Sequence, residues 1–395
     1  MSRFLMITAD RVGEASGGGS VTRQEYEALV ALAGVLGGGT QCWMGGPVPP
    51  EGELPWAYDA FAQQCVERAW PLPPETAPLP GAGVLLAHFY AGTFSRTVRA
   101  LKRRGCKVSY TAAAHDVAAS AREHHALGLP YNYPHLTEPA LLQDYLQGYL
   151  EADLLICPSR HSAAVMRGFG ARGPIEVIPH GTELPETVTA LPDATGPDGY
   201  TVGYLGAVGP DKGLRYLLEA WRLLDVPEEG PGRCTLLLAG RDSVSPFVTA
   251  LIRHVFQGRL PATVRQLGWQ DSVSAFYERC CLYVQPSVTE GFGIEVLEAM
   301  AHRRPVIASS GVGASELLPG GLVVPPGDPV RLADAIHTLR GNPTRAANLA
   351  AVLRAESASY TWAHIRATYV HAWMRLVLGK QADGSMVDWT LPALS

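Results

Sequence analysis

The chain has 395 residues, of which 47% are hydrophobic and 17% charged, and its formal net charge is -5. This length and composition exclude a disordered chain and allow more than one hydrophobic core, so we expect a globular protein with two domains. The acidic balance argues against nucleic acid as the main partner, because surfaces that bind nucleic acid are usually strongly basic.

The cysteines and the start of the chain indicate the compartment. Seven cysteines are scattered without a paired framework or a Cys-x-x-Cys motif, and several lie in apolar runs, as is typical of reduced cytoplasmic thiols. The first residues form a strand-like run without the basic leader and apolar core of a signal peptide, and no long uncharged apolar span follows. We therefore expect a cytoplasmic protein that is neither exported nor membrane-spanning.

Short β-branched runs alternate with amphipathic segments of helix length, a pattern typical of parallel sheets covered by helices on both faces. In the first half these runs predict strands at 3–8, 84–88, 107–111, 153–157 and 175–178. The run Gly17-Gly18-Gly19 precedes a helix predicted to begin near Thr22 and predicts a glycine-rich loop whose amides can approach a ligand. A flexible surface loop is the alternative interpretation.

A predicted helix of the first half ends in a cluster of cations. The cluster comprises Arg96, Arg99, Lys102, Arg103 and Arg104. The helix dipole alone favours cations at this end of a helix. A peripheral contact with anionic lipid is the second interpretation, because basic surface clusters bind anionic membranes.

Residues 181–199 are rich in Pro, Thr and Asp and lack periodicity, so they predict an interdomain linker. The alternation then restarts, with strands predicted at 200–205, 235–239, 264–267, 282–285, 305–308 and 322–324. The last helix, 361–378, carries a large aromatic face and is expected to pack back toward the first domain.

The predicted fold class is α/β, with two doubly wound, Rossmann-like domains at 1–180 and 200–360. Ligands of such sheets bind beyond the carboxyl ends of the strands. We therefore expect the site in a deep cleft between the two domains.

Residues 286–301 place two carboxylates around the start of a helix, in the run Pro-Ser-Val-Thr-Glu-Gly-Phe-Gly-Ile-Glu-Val-Leu-Glu-Ala-Met-Ala. Glu290 falls in the turn after a predicted buried strand. The backbone beyond it can approach a ligand closely, and the amides of the first helical turn form an anion site at the positive end of the helix dipole. The residues of this predicted phosphate site are Gly291, Phe292, Gly293 and Ile294.

Glu298 lies one helical turn further along, on a helix that is apolar on most sides. A carboxylate in such surroundings needs a polar partner, and the hydroxyls of a sugar or a ribose would serve. The alternative is structural: Glu290 stabilises the helix dipole, and Glu298 is hydrogen-bonded inside the domain.

These motifs resemble those of the large family of retaining glycosyltransferases with the GT-B fold, which includes glycogen synthase-like and mannosyltransferase enzymes. The resemblance covers most of residues 150–340. The matching segments are a Glu-x7-Glu motif from Glu290 to Glu298, a strand, Lys-Gly loop and helix from Gly203 to Ala220, a motif around Pro-Val-Ile from Ala301 to Ser309, and Ile178-Pro179-His180-Gly181, where the family has Ile-Pro-Asn-Gly.

The resemblance implies roles for these residues. It implies that Glu290 contacts the donor sugar, that Glu298 contacts the nucleotide ribose, and that Lys212 contacts the diphosphate. Gly18 and Gly19 correspond to a Gly-Gly loop of the family at the donor. The first domain would then bind the acceptor and the second the nucleotide-sugar donor.

Lys212 lies in the turn Gly-Pro-Asp-Lys-Gly, where a cation can neutralise charge that grows on a departing nucleotide diphosphate. A lysine in an ordinary surface turn is the alternative. The chain departs from the family in one respect: the family usually has Arg five residues before this Lys, and here the position is Ala207. Arg241, just after the strand at 235–239, is our candidate to supply the missing charge.

His115 follows the strand at 107–111, as a His does in many members of the family, and the resemblance implies that it contacts the donor sugar. A metal site is the rival interpretation. It would combine His115 and Asp116 with the nearby His124, His125 and His135. Their spacing matches no ligand pattern, so we expect no metal site.

The expected activity is therefore metal-independent, retaining transfer of a hexose-type sugar. The donor would be a nucleotide-diphosphate sugar, acting as co-substrate without a further cofactor, and the acceptor a hydroxyl of a sugar, a lipid or a small molecule. Two alternatives stay open: a nucleotide-sugar epimerase or phosphorylase on the same fold, and a non-catalytic protein that binds nucleotide sugars or glycans.

Overall fold

The computed structural model describes residues 3–8, 17–36, 38–44, 84–90, 94–114, 116–129, 131, 139–196, 198–230 and 232–378. Contacts between Cα atoms divide the chain into two compact units. The first unit is Met1–Ala114, Asn132–His180 and Trp362–Ser395, and the second is His115–Tyr131 and Gly181–Thr361.

Each unit is built on one parallel sheet. The strands are β1 (Arg3–Thr8), β2 (Gly39–Met44), β3 (Val84–Tyr90), β4 (Lys107–Thr111), β5 (Leu154–Cys157), β6 (Ile175–Val177), β7 (Tyr200–Leu205), β8 (Cys234–Ala239), β9 (Val264–Gly268), β10 (Leu282–Gln285), β11 (Val306–Ser309) and β12 (Val323–Val324). Among the described residues, the first sheet has the order β2-β1-β3-β4-β5-β6 and the second the order β12-β11-β10-β7-β8-β9. The predicted class of two doubly wound α/β domains is thus confirmed.

Helices connect most of the strands. They are α1 (Gly17–Val35), α2 (Ser95–Lys102), α3 (Val117–Ala126), α4 (Pro139–Leu150), α5 (Arg160–Gly168), α6 (Leu214–Leu224), α7 (Pro246–Val255), α8 (Val273–Glu278), α9 (Ile294–Ala301), α10 (Pro329–Arg340), α11 (Pro343–Ser357) and α12 (Trp362–Leu378). Most of those in the second unit begin at a short polar side chain that accepts a hydrogen bond from an amide of the first turn. These capping residues are Asp116, Ser245, Ser272, Asp328 and Asn342.

The cores follow from the apolar strands. In the first unit, Phe89 and Tyr110 on β3 and β4 stack with ring centroids 5.2 Å apart, and Tyr149 of α4 packs on Tyr110 at 4.1 Å. In the second unit, the strands of the sheet bury Tyr204 and Tyr283, and α6 buries Trp221 in the same core. Burial of such large side chains supplies the main stabilising free energy of each unit.

The start of α1 differs from the prediction. A helix was expected near Thr22 after a glycine loop, but α1 begins at Gly17, so Gly18 and Gly19 lie in its first turn. Three glycines are poor helix formers, and the propensity of the run therefore favoured a loop. The helix nevertheless extends over them, which shows tertiary context overriding local propensity.

The C-terminal helix α12 belongs to the first unit and packs on α1. The Tyr369 hydroxyl donates a hydrogen bond to Glu25 Oε1 at 2.8 Å, and His88 Nε2 lies 3.1 Å from Glu25 Oε2. The indole of Trp373 covers the His88 ring, with centroids 4.8 Å apart. The aromatic face of α12 thus covers the buried carboxyl group of Glu25, which is hydrogen-bonded by Tyr369 on one side and by His88 on the other.

The unit to which residues 115–131 belong differs from the prediction, which placed all of residues 1–180 in the first domain. This segment, which includes α3, groups with the second unit. The hydroxyl of Tyr216 on α6 donates to both carboxylate oxygens of Glu123 at 3.0 Å, which fixes α3 on this unit. The predicted linker 181–199 also lies within the second unit.

Five cysteines are free and buried: Cys106, Cys157, Cys234, Cys280 and Cys281. Burial raises the pKa of Cys157 to about 12, so its thiol stays protonated at neutral pH. Among the described residues, none of the helices combines the length and the apolar character needed to span a bilayer.

Candidate functional site

The loop after β10 holds Glu290 through its backbone. The amide of Glu290 donates to the carbonyl of Gly311 at 2.8 Å, and the amide of Gly313 donates to the carbonyl of Glu290 at 3.1 Å. Glu290 thereby forms a parallel bridge with Val312, which follows β11. A carboxylate on a backbone fixed from both sides has a defined position at the carboxyl end of the sheet.

Lys212 reaches the same end of the sheet from the loop after β7. It ends a short 3-10 helix, Pro210–Lys212, and the next residue, Gly213, has φ of 70°. A Cβ at Gly213 would lie 2.0 Å from the carbonyl oxygen of Pro286, so only glycine allows this close approach. The Lys-Gly pair of the motif therefore brings Lys212 against the loop that carries Glu290.

Lys212 and Glu290 form an ion pair between Nζ and Oε2. Their side chains are 26% and 19% exposed, so the pair is accessible to a ligand although it is mostly covered by protein. Burial opposes the charge of Lys212, but the carboxylates of Glu290 and Glu295 outweigh that effect and raise its pKa above the ordinary value. Lys212 is therefore an ammonium at any physiological pH.

Helix α9 begins directly after this pair, and its N-cap is a glycine. Gly293 has φ of 90°, and a Cβ there would lie 2.8 Å from Val312 Cγ1. Glycine cannot cap a helix with a side chain, unlike the serine and aspartate caps elsewhere in this unit. The predicted anion site, Gly291, Phe292, Gly293 and Ile294, thus stands at the entrance of α9, next to the ammonium of Lys212.

Glu298 has a partner within the unit. The hydroxyl of the buried Tyr277 on α8 donates to Glu298 Oε2 at 3.1 Å and to the carbonyl of Glu295 at 3.0 Å. Burial raises the pKa of Glu298, and the hydrogen bond from Tyr277 acts in the opposite direction. The structural alternative for Glu298 thus accounts for one of its oxygens, and a role toward a ribose remains a proposal.

Glu295 was missed by the sequence analysis. It lies in the first turn of α9, between the two carboxylates of the Glu-x7-Glu motif. Burial, followed by repulsion from Glu290, raises the pKa of Glu295 to about 7, while Lys212 lowers it. The sequence signal was an acidic residue near a helix N-terminus, which is common and favoured by the dipole alone.

His115 lies outside the described residues, whereas its neighbour Asp116 lies within them. The amide of Asp116 donates to Oγ1 of the buried Thr289 at 2.7 Å, and Thr289 directly precedes Glu290 in the chain. The Asp116 carboxylate caps α3 by accepting from the amide of Ala119 at 3.0 Å. The rival metal interpretation would use the Asp116 carboxylate as a ligand. This carboxylate therefore already has a structural role as the cap of α3.

Arg241 lies beside the loop that carries Ala207. The amide of Val208 donates to the carbonyl of Arg241 at 3.3 Å, and the Tyr204 hydroxyl donates to the carbonyl of Ala207 at 3.0 Å. The side chains of Ala207 and Arg241 are both exposed. The backbone thus places Arg241 next to Ala207, the position at which the glycosyltransferase family that the sequence resembles usually has Arg.

Gly18 and Gly19 lie in the first unit, at the start of α1, whereas the other described candidates lie in the second. The second unit therefore contains Lys212, Glu290, Glu298, Arg241 and the start of α9.

Two of the five cations in the cluster at the end of α2 form ion pairs within the first unit. Both oxygens of Glu151 accept from Arg99 Nε at 3.0 Å, and Lys102 Nζ lies 3.1 Å from Asp153 Oδ1. These ion pairs reduce the positive charge that α2 offers to an anionic surface.

Comparison with known proteins shows where the chain is similar to others in sequence. Residues 199–342 match the family model described as "Glycosyl transferases group 1". Over 133 residues the chain is 35% identical to the O-antigen chain mannosyltransferase B of Escherichia coli, which is 33% of this chain and 34% of that protein. The chain spans between 34% and 43% of the length of the curated relatives it matches.

Solved structures match almost the whole chain. Sucrose-phosphate synthase from Thermosynechococcus elongatus superposes with a TM-score of 0.72 at 19% identity, covering 96% of this chain and 100% of that one. The HepE protein of Anabaena, solved in complex with UDP, superposes with a TM-score of 0.66 at 18% identity, covering 94% and 99%. The fold of the chain is therefore the GT-B fold of glycosyltransferases.

Proposed function

We propose that the protein is a retaining glycosyltransferase that moves a hexose-type sugar from a nucleotide-diphosphate sugar to a hydroxyl acceptor. The observation that carries this proposal is the accessible ion pair of Lys212 and Glu290 at the entrance of α9. The match of residues 199–342 to glycosyltransferases supports it, since these residues contain both partners.

The site offers separate groups for the two parts of a donor. The amides at the start of α9 and the ammonium of Lys212 are suited to the diphosphate, because both favour negative charge. Glu290 accepts hydrogen bonds from hydroxyls of the sugar, and Glu298 accepts them from the ribose. His115 is proposed as a further contact to the sugar.

Donor binding must open the ion pair of Lys212 and Glu290. The diphosphate then takes the place of the Glu290 carboxylate as the partner of Lys212, and Glu290 is released to the sugar. As the bond from the anomeric carbon to the phosphate oxygen breaks, negative charge grows on that oxygen. Lys212 and the helix amides stabilise this charge most strongly in the transition state, which is the condition for lowering the barrier.

Retention follows in this proposal from attack on the face that the diphosphate leaves. The acceptor hydroxyl approaches the anomeric carbon beside the departing phosphate, whose oxygen takes the hydroxyl proton. We propose that the reaction needs no metal ion, because Lys212 and the amides supply the positive charge at the leaving group.

Thermal unfolding in the presence of donors tests the function. A cognate donor raises the apparent melting temperature by mass action, and we expect this for one of UDP, GDP or ADP and for its sugar conjugate. Anomeric proton NMR of the product then decides between retention, inversion and epimerisation. Failure of all three nucleotides and their sugars to shift the melting temperature would contradict the proposal.

A binding protein without catalysis is the second candidate, and the exposed Ala207 motivates it. An alanine in the loop after β7 supplies no positive charge for a leaving group. Release of nucleotide diphosphate from a bound donor, measured with and without acceptors, separates the two functions. Donor binding without any nucleotide release would favour the binding protein.

We further propose that Arg241 supplies charge beside Ala207. Arg241→Ala should weaken donor binding about tenfold, because one charge-assisted hydrogen bond is worth at least about 1.4 kcal/mol. Titration calorimetry with the donor found above measures this change. Arg259→Ala is the matched control, since Arg259 is exposed on the same unit and pairs only weakly, at 3.3 Å, with Glu228. An unchanged affinity of the Arg241 variant would exclude the role.

A further inference from the structure

The carboxylates of the candidate donor site would repel the anionic diphosphate that we propose as its ligand. Glu290 and Glu295 interact electrostatically with Lys212 more strongly than Asp211 does, so these two carboxylates dominate the surroundings of one ammonium. A nucleotide-diphosphate sugar adds one negative charge on each of its two phosphates. With both carboxylates ionised, the complex would gather four negative charges around Lys212, and like charges at this range repel strongly.

The side chain of Glu295 lies at the entrance of α9. Its carboxylate accepts a hydrogen bond from its own backbone amide, which is one of the amides of the first helical turn. A Cβ on Gly206, in the loop after β7, would lie 3.6 Å from Glu295 Oε1. Glu295 thus lies among the groups that we assign to the diphosphate, whereas Glu290 is assigned to the sugar.

The surroundings of Glu295 favour its neutral form. Glu290 faces it from the loop after β10, and Glu298 from the next turn of α9. The phenols of Tyr204, Tyr277 and Tyr283, on β7, α8 and β10, interact with it and are all fully buried. Lys212 is the cation that favours the ionised form, and burial and the carboxylates outweigh it, so that the pKa of Glu295 is about 7. A bound diphosphate takes Lys212 as its own partner and adds negative charge, so it raises this pKa further.

We propose that Glu295 is a further donor-binding residue, which enters the donor complex as a neutral carboxylic acid and donates a hydrogen bond to an oxygen of the diphosphate. This inference rests on the proposed function, because it assumes a nucleotide-diphosphate donor. A protonated carboxyl is a hydrogen-bond donor, whereas the carboxylate only accepts. A protonated Glu295 can therefore donate a hydrogen bond to a phosphate oxygen, as a backbone amide at the start of α9 can.

Proton uptake is the measurable consequence. At pH 8 a carboxyl with a pKa of about 7 is roughly 90% ionised, so donor binding must take up about 0.9 proton. Donor affinity then falls as the pH rises above 7, approaching tenfold per pH unit. Both phosphates of a nucleotide sugar stay singly charged between pH 6 and about 9, so the proton is bound by the protein.

Titration calorimetry with UDP-glucose and with GDP-mannose, without acceptor, tests the inference. Binding enthalpies in HEPES and in Tris at pH 8 give the number of protons taken up, and phosphate buffer is avoided because it competes for an anion site. We expect about 0.9 proton for the wild type and close to none for Glu295→Gln, whose amide keeps a hydrogen-bond donor. Glu228→Gln, at an exposed position, is the matched control and should behave as the wild type.

Comparison of Gln with Ala at this position separates binding from a merely structural role. At pH 6 Glu295→Gln should bind the donor about as well as the wild type, and Glu295→Ala at least about fivefold more weakly, since a lost hydrogen bond to a charged group costs at least about 1 kcal/mol. Equal proton uptake by the wild type and Glu295→Gln would overturn the inference and leave the proposed function intact. If the wild type binds neither of these donors nor an ADP sugar, both are overturned.

Stability without ligand gives a second measurement that does not depend on the donor. The folded-state pKa of about 7 lies above the ordinary 4.5, so ionisation of Glu295 costs stability as the pH rises from about 4.5 to about 7. The melting temperature of Glu295→Gln minus that of the wild type should therefore be larger at pH 8 than at pH 5. An equal difference at both pH values would contradict the placement of Glu295 in these surroundings.

Discussion

Lys212→Ala should lower kcat/KM for sugar transfer about 10²–10³-fold while the fold survives. We assign the ammonium of Lys212 to the leaving group, and removal of one preorganised electrostatic contact of this kind costs about that factor. Because Lys212 and Glu290 are mostly covered by protein, loss of their ion pair should also lower stability by about 1–3 kcal/mol, so the melting temperature of the variant is measured beside its rate. Rates are measured as release of nucleotide diphosphate from the donor that gives the largest thermal shift.

Glu290→Gln should lower kcat steeply as well, because an amide cannot fully replace the carboxylate that we propose as the acceptor for sugar hydroxyls. This change also removes the counter-ion of Lys212, so the two variants are not expected to be additive. Lys107→Ala, at an exposed position of β4, is the matched control and should keep the wild-type rate. Wild-type turnover in both the Lys212 and the Glu290 variants would refute the assigned roles.

Arg304→Met should destabilise the second unit by at least about 3 kcal/mol. The side chain of Arg304 is fully buried, and burial lowers the pKa of its guanidinium. Its nitrogens donate to the carbonyls of Thr189 at 2.7 Å, His302 at 2.8 Å, Ala190 at 3.2 Å and Cys280 at 3.2 Å. Met fills a similar volume but leaves these carbonyls without their donors.

Arg304 also holds residues of the predicted linker on the second unit. The structural effect of its replacement should therefore begin locally, in that segment. We expect faster amide hydrogen exchange in residues 185–195, together with a lower melting temperature. Arg303→Met is the matched control, because the neighbouring Arg303 is exposed. A melting temperature within about 1 °C of the wild type for Arg304→Met would show that the buried guanidinium contributes nothing net to stability.

Strands of the interior of both sheets were predictable because they are nearly continuous apolar runs. The edge strand β2, with the sequence Gly-Thr-Gln-Cys-Trp-Met, was not predicted. Among the residues that the structure describes, it pairs only with β1, so its sequence does not need to be apolar throughout. Its pairing depends on a partner that lies more than thirty residues earlier in the chain.

The assignment of residues 115–131 shows a different limit. Sequence order placed this segment in the first domain, because it follows β4 directly. The contacts that hold it on the second unit join Asp116 to Thr289 and Glu123 to Tyr216, across 173 and 93 residues. No local pattern marks either member of these pairs.

The chain's own pattern of residues was sufficient for the α/β class, the turn with Lys212, and the helix entrance with Glu290. These features depend on interactions between near neighbours: apolar periodicity, glycines in turns, and the backbone amides at a helix start. The tertiary structure was needed for the ion pair between Lys212 and Glu290, the surroundings of Glu295, and the buried guanidinium of Arg304. These depend on burial and on charges from distant segments, which determine whether a carboxyl is ionised, and neither quantity is present in the local sequence.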